Sequence, residues 1–366
     1  MKILHINRNY VDTPLHQLMV EQLDCLGYVN KVFSPRLNNE KSRIKPNDNV
    51  CVCECFSNFD KFFFNRKQKK IINSIQSSIN VKQYDLIHAY TLFTDGNCAR
   101  ELSKKYNIPY VVAVRNTDVN DFFKLMPHLR RRGIQIMMDA KAVFFLSDSY
   151  RKQVFCKYVP KKIKDVLLKK THIIPNGIDD FWFRNPPRSE NKIDTSSVRL
   201  IYAGRIDKNK NIPTIQRAIK FLKQRGLNAQ LTVVGRINDY KEYSKIIKDT
   251  NTRYFPPVTK EKLIDLYRDA HIFVMPSFCE SFGLVYVEAM TQGLPVIYSK
   301  GQGFDGQFPD GVVGYSAIST SAESVAEGII KIIDNYADIR THLSDNAAKF
   351  NWSEICKEYD HVYQKV

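Results

Sequence analysis

Short apolar runs alternate along this chain with longer amphipathic stretches, and the two periods assign most of its elements. Lys2 to Asn7 reads as a buried strand, followed by a polar turn, Arg8 to Pro14, and an amphipathic helix from Leu15 to Leu26 that stops at Gly27. Val29 to Ser34 is a second strand. Asp85 to Ala89 and Tyr110 to Val114 are two more, with a helical stretch around Cys98 to Tyr106 between them, and Ala142 to Ser147 is another, followed by helix from Tyr150. Strands alternating with helices predict parallel βαβ winding. The pattern closes at His172 to Asp179, and the polar segment Arg184 to Ser197 reads as an exposed linker. It then restarts, with strands Val198 to Ala203, Ala229 to Val234, Ile272 to Met275 and Pro295 to Tyr298, and a helix from Ile212 to Arg225. The expected fold class is therefore α/β, two Rossmann-like doubly wound domains. Ligands of such sheets bind beyond the carboxyl ends of the strands, so the expectation adds a cleft across which the two face each other.

Length agrees with this reading, because 366 residues exceed what one hydrophobic core usually supports. Hydrophobic residues make up 43% and argue against disorder. No window approaches an uninterrupted apolar span of ~20 residues, and the N-terminus has no long apolar core of a signal peptide. Eight cysteines lack zinc-finger spacing; Cys51, Cys53 and Cys55 alternate with Val52 and Glu54 as a buried strand would. Buried free thiols in a reducing cytoplasm are expected. The formal charge of +17 calls for a polyanionic partner.

Two carboxylates bracket the stretch Glu280-Ser281-Phe282-Gly283-Leu284-Val285-Tyr286-Val287-Glu288. Were both helical they would stand about 80° apart on the helix surface, so they would not share one face. The spacing suits Glu280 in a loop and Glu288 inside a helix that starts between Ser281 and Leu284. A helix start offers free N–H groups and a positive dipole end to an anion. Acids for hydroxyls around an anion seat suit a nucleotide sugar. Upstream, Gly204-Arg205 ends a strand and Lys210 precedes the next helix, a guanidinium and an ammonium fit for a diphosphate, or simply solvated loop cations.

Gly204-Arg205 with Lys210, Pro276-Ser277, Glu280-Ser281-Phe282-Gly283 with Glu288, and Gly293-Leu294-Pro295-Val296 together resemble the donor half of family 4 retaining glycosyltransferases with the GT-B fold. Pro175-Asn176-Gly177-Ile178-Asp179 resembles the segment that ends the family's first domain. The resemblance implies an acceptor-side domain over 1–175, a nucleotide-sugar domain over 176–345 and a closing helix over 346–366 that crosses back to the first. It implies that Arg205 and Lys210 bind the donor diphosphate and that Glu280 contacts the transferred sugar. Backbone N–H groups of Phe282, Gly283 and Leu284, beside Ser281, would meet sugar and phosphate, and Glu288 would hold the ribose. Tyr254 to Val258 is expected to line the base pocket, with Val258 a donor contact, and UDP is favoured over GDP. No cofactor and no metal are expected.

The first domain departs from the family twice. Asn7 to Pro14 has no glycine where relatives often carry a Gly-rich loop, and Arg115-Asn116-Thr117-Asp118 stands where many carry a histidine. Asp118 is a candidate for a sugar hydroxyl or a turn cap; Arg115 and Asn116 are acceptor-side candidates, as is His88, which as readily makes a core imidazole. Phe56 to Lys70 interleaves aromatics with cations, and Arg130 to Arg132 and Lys161 to Lys170 add basic density. Such stretches suit an anionic membrane surface or a solvated face; no nucleic-acid recognition motif accompanies them. The expectation is a cytoplasmic enzyme, peripheral on the inner face of the membrane, that moves a sugar onto a saccharide or lipid-linked acceptor of a surface polysaccharide or glycolipid. The alternatives are a nucleotide-sugar epimerase or hydrolase, and a non-catalytic nucleotide-sugar-binding subunit.

Overall fold

The computed structural model describes residues 1–187, 193 and 196–366. Half of the expected linker, residues 188–192, 194 and 195, lies outside the described residues. Two compact units form, one from Met1–Gly177 with Trp352–Val366, the other from Ile178–Asn351. Each is an α/β unit around one parallel sheet.

The first sheet contains β1 (Lys2–Ile6), β2 (Val29–Leu37), β3 (Val50–Phe56), β4 (Leu86–Ala89), β5 (Tyr110–Val114), β6 (Ala142–Phe145) and β7 (Thr171–Ile173), in the order β3-β2-β1-β4-β5-β6-β7. Both faces are covered, so the strands can be apolar throughout. Leu4, Ile6, Ile87, Val112, Val114 and Phe145 point into one core, with Ile71, Ile75, Ala99 and Leu102 from the covering helices. Their sequence neighbours Ile3, Leu86, Val111, Ala113 and Phe144 point into the other, where the last helix, Trp352–Tyr363, contributes Trp352, Ile355 and Tyr359. This period of two makes the register unambiguous, since a one-residue slip would exchange the faces. Each buried Val, Leu, Ile or Phe among them contributes roughly 1.5–3 kcal/mol.

The cysteines correct one expectation. β3 is an edge strand and Cys51, Cys53 and Cys55 are half-buried; of the eight free thiols only Cys98 and Cys356 are buried.

The second sheet contains β8 (Val198–Ala203), β9 (Ala229–Val234), β10 (Thr252–Phe255), β11 (Ile272–Met275), β12 (Val296–Ser299) and β13 (Gly314–Ala317), in the order β10-β9-β8-β11-β12-β13. Strand order reverses between β8 and β11. Chain leaving their carboxyl ends must diverge to opposite sides, which opens a crevice at that point. In the first sheet the same reversal falls between β1 and β4.

Candidate functional site

The loops that leave β8 and β11 are stitched to each other by side-chain amides. Asn209 donates from Nδ2 to the Cys279 carbonyl at 2.9 Å and accepts the Cys279 N–H at 3.0 Å. Asn211, in the left-handed region at φ 56°, donates to the carbonyls of Pro276 at 3.0 Å and Ser319 at 2.6 Å. Asp207 caps the short turn 208–210 by accepting the Lys210 N–H at 3.2 Å. This frame sets the base of the Lys210 side chain beside Glu280. Lys210 Nζ lies 2.6 Å from Glu280 Oε2, and both side chains are almost covered, at 12% and 13% exposed. Two residues seventy positions apart thus meet at the switch point.

Glu280 is held from the other side by the loop after β12. Its N–H donates to Gln302 Oε1 at 3.0 Å and its carbonyl accepts the Gly303 N–H at 2.9 Å. A Cβ on Gly303 would fall 1.8 Å from the Ser281 carbonyl oxygen, so only glycine permits this approach. The helix Leu284–Thr291 follows, with Gly283 before it at φ 82°. Its first N–H groups have no intrahelical acceptor and carry the positive end of the dipole. Phe282 anchors the turn by packing against Phe304 and Phe350 at 5.8 and 5.4 Å between ring centroids. Ser281 and Leu284 flank it, partly exposed.

Glu288 lies inside that helix, as its spacing from Glu280 requires. Burial pushes its carboxyl up to about 7, against the pull of Lys260 and with a push from Asp179. Lys260 is itself paired to Asp179. A carboxyl with so little counter-charge invites hydroxyl donors. Val258 precedes Lys260 at the carboxyl end of β10, and Tyr254 donates to the Gly235 carbonyl at 3.1 Å. Arg205 is looser: its side chain is 62% exposed and its Nε stands 3.7 Å from Asp207. The structure therefore brings Lys210 and Glu280 into contact and leaves Arg205 extended in solvent.

In the first unit two open alternatives are decided. Asp118, a candidate for a sugar hydroxyl or a turn cap, takes the second role: its two oxygens accept the backbone N–H groups of Leu92, Phe93 and Arg115 at 2.9, 3.1 and 2.8 Å. It is buried, with its carboxyl pushed up to about 6 by desolvation despite those donors. Its place is to hold the turns after β4 and β5 together. Asp118→Asn has one acceptor oxygen for three donors and is expected to lower the unfolding free energy by about 2 kcal/mol; an unchanged urea midpoint and slope would show that the turns are held otherwise. His88 is likewise a core residue, with Nδ1 2.6 Å from the Tyr363 hydroxyl and its ring stacked 4.3 Å from Tyr90. Burial holds its pKa well below the usual value, so it is neutral.

Arg115 keeps a position at the sheet's carboxyl end, donating to the Tyr90 carbonyl at 3.2 Å and to Asn176 Oδ1 at 3.0 Å. Asn116 accepts from Asn120. Sequence reading overlooked His16, whose Nδ1 lies 2.9 Å from Asn7 Nδ2 and whose ring meets Tyr90 edge-on at 4.6 Å. It also overlooked Asn209, Asn211 and Gln302.

The basic stretches divide. Phe59, Phe62 and Phe63 are exposed at 56%, 84% and 50%, whereas Phe56 is buried beneath Lys67. Lys170 and Arg130, expected to face anionic lipid, are used inside the unit: Lys170 donates to the Ala140 carbonyl at 2.7 Å and Arg130 to the Phe123 carbonyl at 2.6 Å. Among the described residues no helix is long and apolar enough to cross a membrane.

With this geometry in view, residues 184–350 match the model of a family described as glycosyl transferases group 1. That match covers nearly all of the second unit, and the resemblance to group 1 glycosyltransferases stands there. The chain is 26% identical over 292 residues to a D-inositol 3-phosphate glycosyltransferase of Pseudarthrobacter chlorophenolicus, spanning 74% of this chain and 68% of that one. It is 29% identical over 211 residues to the lipopolysaccharide 1,2-N-acetylglucosaminetransferase of Salmonella typhimurium, spanning 51% and 55% of the two. The fold of HepE from Anabaena, solved with UDP and glucose, superposes with a TM-score of 0.69 at 16% identity over all of both chains. The fold is GT-B and the enzyme class is glycosyltransferase.

Proposed function

We propose that this glycosyltransferase transfers a hexosyl or N-acetylhexosaminyl group from a nucleoside-diphosphate sugar, with UDP favoured, to a saccharide or lipid-linked acceptor, with retention of configuration and without a metal. The observation that carries the reading is the Lys210–Glu280 contact beside a helix start, with Glu288 one turn further along. An ammonium has three donors, so Lys210 can keep one on Glu280 and turn the others to a diphosphate. Arg205, extended in solvent, has the reach to add a guanidinium fork. Glu280 then takes hydroxyls of the sugar, and Glu288 the two of the ribose.

In the reaction the bond from the anomeric carbon to the diphosphate oxygen breaks and one to the acceptor oxygen forms on the same face. The acceptor proton passes to the departing diphosphate. Charge develops on that leaving group; Lys210 and the free N–H groups at the start of the helix Leu284–Thr291 are held ready to meet it, each strong donor supplying on the order of 3 kcal/mol, and Arg205 can swing in from solvent. These cations can take the part a divalent ion plays elsewhere. A surface-glycan acceptor is supported by the exposed Phe59, Phe62 and Phe63 among cations, a composition suited to the headgroup zone of an anionic bilayer at the inner face of the membrane.

Incubation with UDP-, GDP-, ADP- and TDP-sugars in EDTA, followed by proton NMR, tests this. One donor is expected to release its sugar slowly, first as the anomer it carried. Release of the opposite anomer, or loss of turnover on chelation, would overturn retention or metal independence respectively.

A further inference from the structure

The helices Phe64–Ser78 and Thr94–Tyr106 of the first unit border a pocket of about 590 Å³. That is room for a small polar molecule. Four cations line it, Lys69, Lys104, Lys105 and Arg132, against one carboxylate, Glu101, and only Ile72 is apolar. Two of these charges are partly met elsewhere: Arg100 comes within 3.4 Å of Glu101, and Lys104 stands 3.8 Å from Asp139.

The floor of the pocket is a directed chain of hydrogen bonds. Arg132 can only donate, and its Nη1 gives to Asn65 Oδ1 at 2.8 Å and to Asn97 Oδ1 at 3.5 Å. Asn97 must therefore turn its Nδ2 the other way, and it donates to Gln68 Oε1 at 3.1 Å, where Cys98 also donates at 3.1 Å. This fixes the amide of Gln68, with its oxygen saturated and its Nε2 directed away from them. Gln68 is 2% exposed and that nitrogen has no acceptor. A buried amide N–H without a partner is a standing cost, and every link in the chain points it the same way. What is missing is an acceptor.

We propose that this pocket is a seat for a phosphate group, separate from the donor site and independent of the exposed phenylalanines. Phosphate supplies several acceptor oxygens with charge enough for the rim lysines, and one oxygen can answer Gln68 Nε2 after a small shift of its side chain. The ligand is a small organic phosphate or the same group on a lipid head.

Calorimetric titration of the full chain with glycerol 3-phosphate at low salt, and flotation with phosphatidylcholine vesicles with and without phosphatidic acid, separate the two sources. Saturable one-to-one binding of glycerol 3-phosphate marks a soluble ligand. Phosphatidic-acid-dependent flotation without binding of the soluble probe marks a headgroup. In either case the exposed pair Lys69→Gln/Lys105→Gln is expected to weaken binding about tenfold or more, at ~1 kcal/mol per lysine, and Gln68→Met to weaken it severalfold, with slow donor hydrolysis unchanged in both. Neither saturable binding nor phosphatidic-acid-dependent flotation would overturn the proposal. So would equal binding by wild type and the folded lysine variant.

Discussion

Lys210→Ala is expected to lower turnover of the accepted donor by about 10²- to 10³-fold, the effect of removing one preorganised donor to a developing anion. The reason lies in how the ammonium is held. Asp207 and Asn209 fix the turn that carries it, and Glu280, 2.6 Å away, fixes its tip. Reorganisation at the moment of bond breaking is therefore small. Removing Lys210 also strands Glu280, nearly covered, without its counter-charge, and some stability is lost with it. A thermal melt separates the two effects: the variant is expected to remain cooperatively folded at the assay temperature while turnover collapses. Near-normal turnover of the folded variant would remove Lys210 from the chemistry.

Glu288 is expected to impose a pH dependence on nucleotide binding. Its carboxyl titrates at about 7 in the free protein because burial disfavours the charge. The ionised form is the better acceptor for two ribose hydroxyls, so nucleoside-diphosphate affinity is expected to fall as pH drops through 7, tenfold per unit well below it, and to level off above 8. Stability of the unliganded protein runs the other way. A folded-state value above the ordinary 4.5 means that the fold takes up a proton, so this contribution is present at low pH and is lost as pH rises through about 7. Glu288→Gln removes both trends and leaves an affinity that is flat across pH 6 to 8. An unaltered pH profile in that variant would assign the dependence to another group.

Much of the site was legible because its residues break the packing pattern. Glu280 and Glu288 are acids in an apolar run, and their mismatch with one helix face places the helix start between them, where the structure begins it at Leu284. Strands buried on both faces were legible for the converse reason, since β5, β8 and β11 are nearly unbroken apolar runs. Two of the edge strands were not. β7 is Thr-His-Ile, half-buried, and β13 is Gly-Tyr-Ser-Ala, so neither period nor hydrophobicity separates them from loop. The frame around Glu280 was hidden as well. Asn209, Asn211 and Gln302 act through amides on backbone far away in sequence, and nothing local marks such a residue. Asp118 and His88 were left open between a ligand contact and a structural role. Both stand at strand ends, where ligands bind, yet the three backbone donors around one and the hydroxyl of Tyr363 beside the other were beyond reach of sequence.

The proposed chemistry needs a diphosphate seat at the carboxyl ends of β8 and β11. Titration of wild type and Lys210→Ala with UDP and GDP in EDTA measures that seat most directly. One nucleotide is expected to bind wild type saturably at one site without metal, and at least tenfold more weakly in the variant. Binding that needs a divalent ion, or equal affinity in the two proteins, would contradict it.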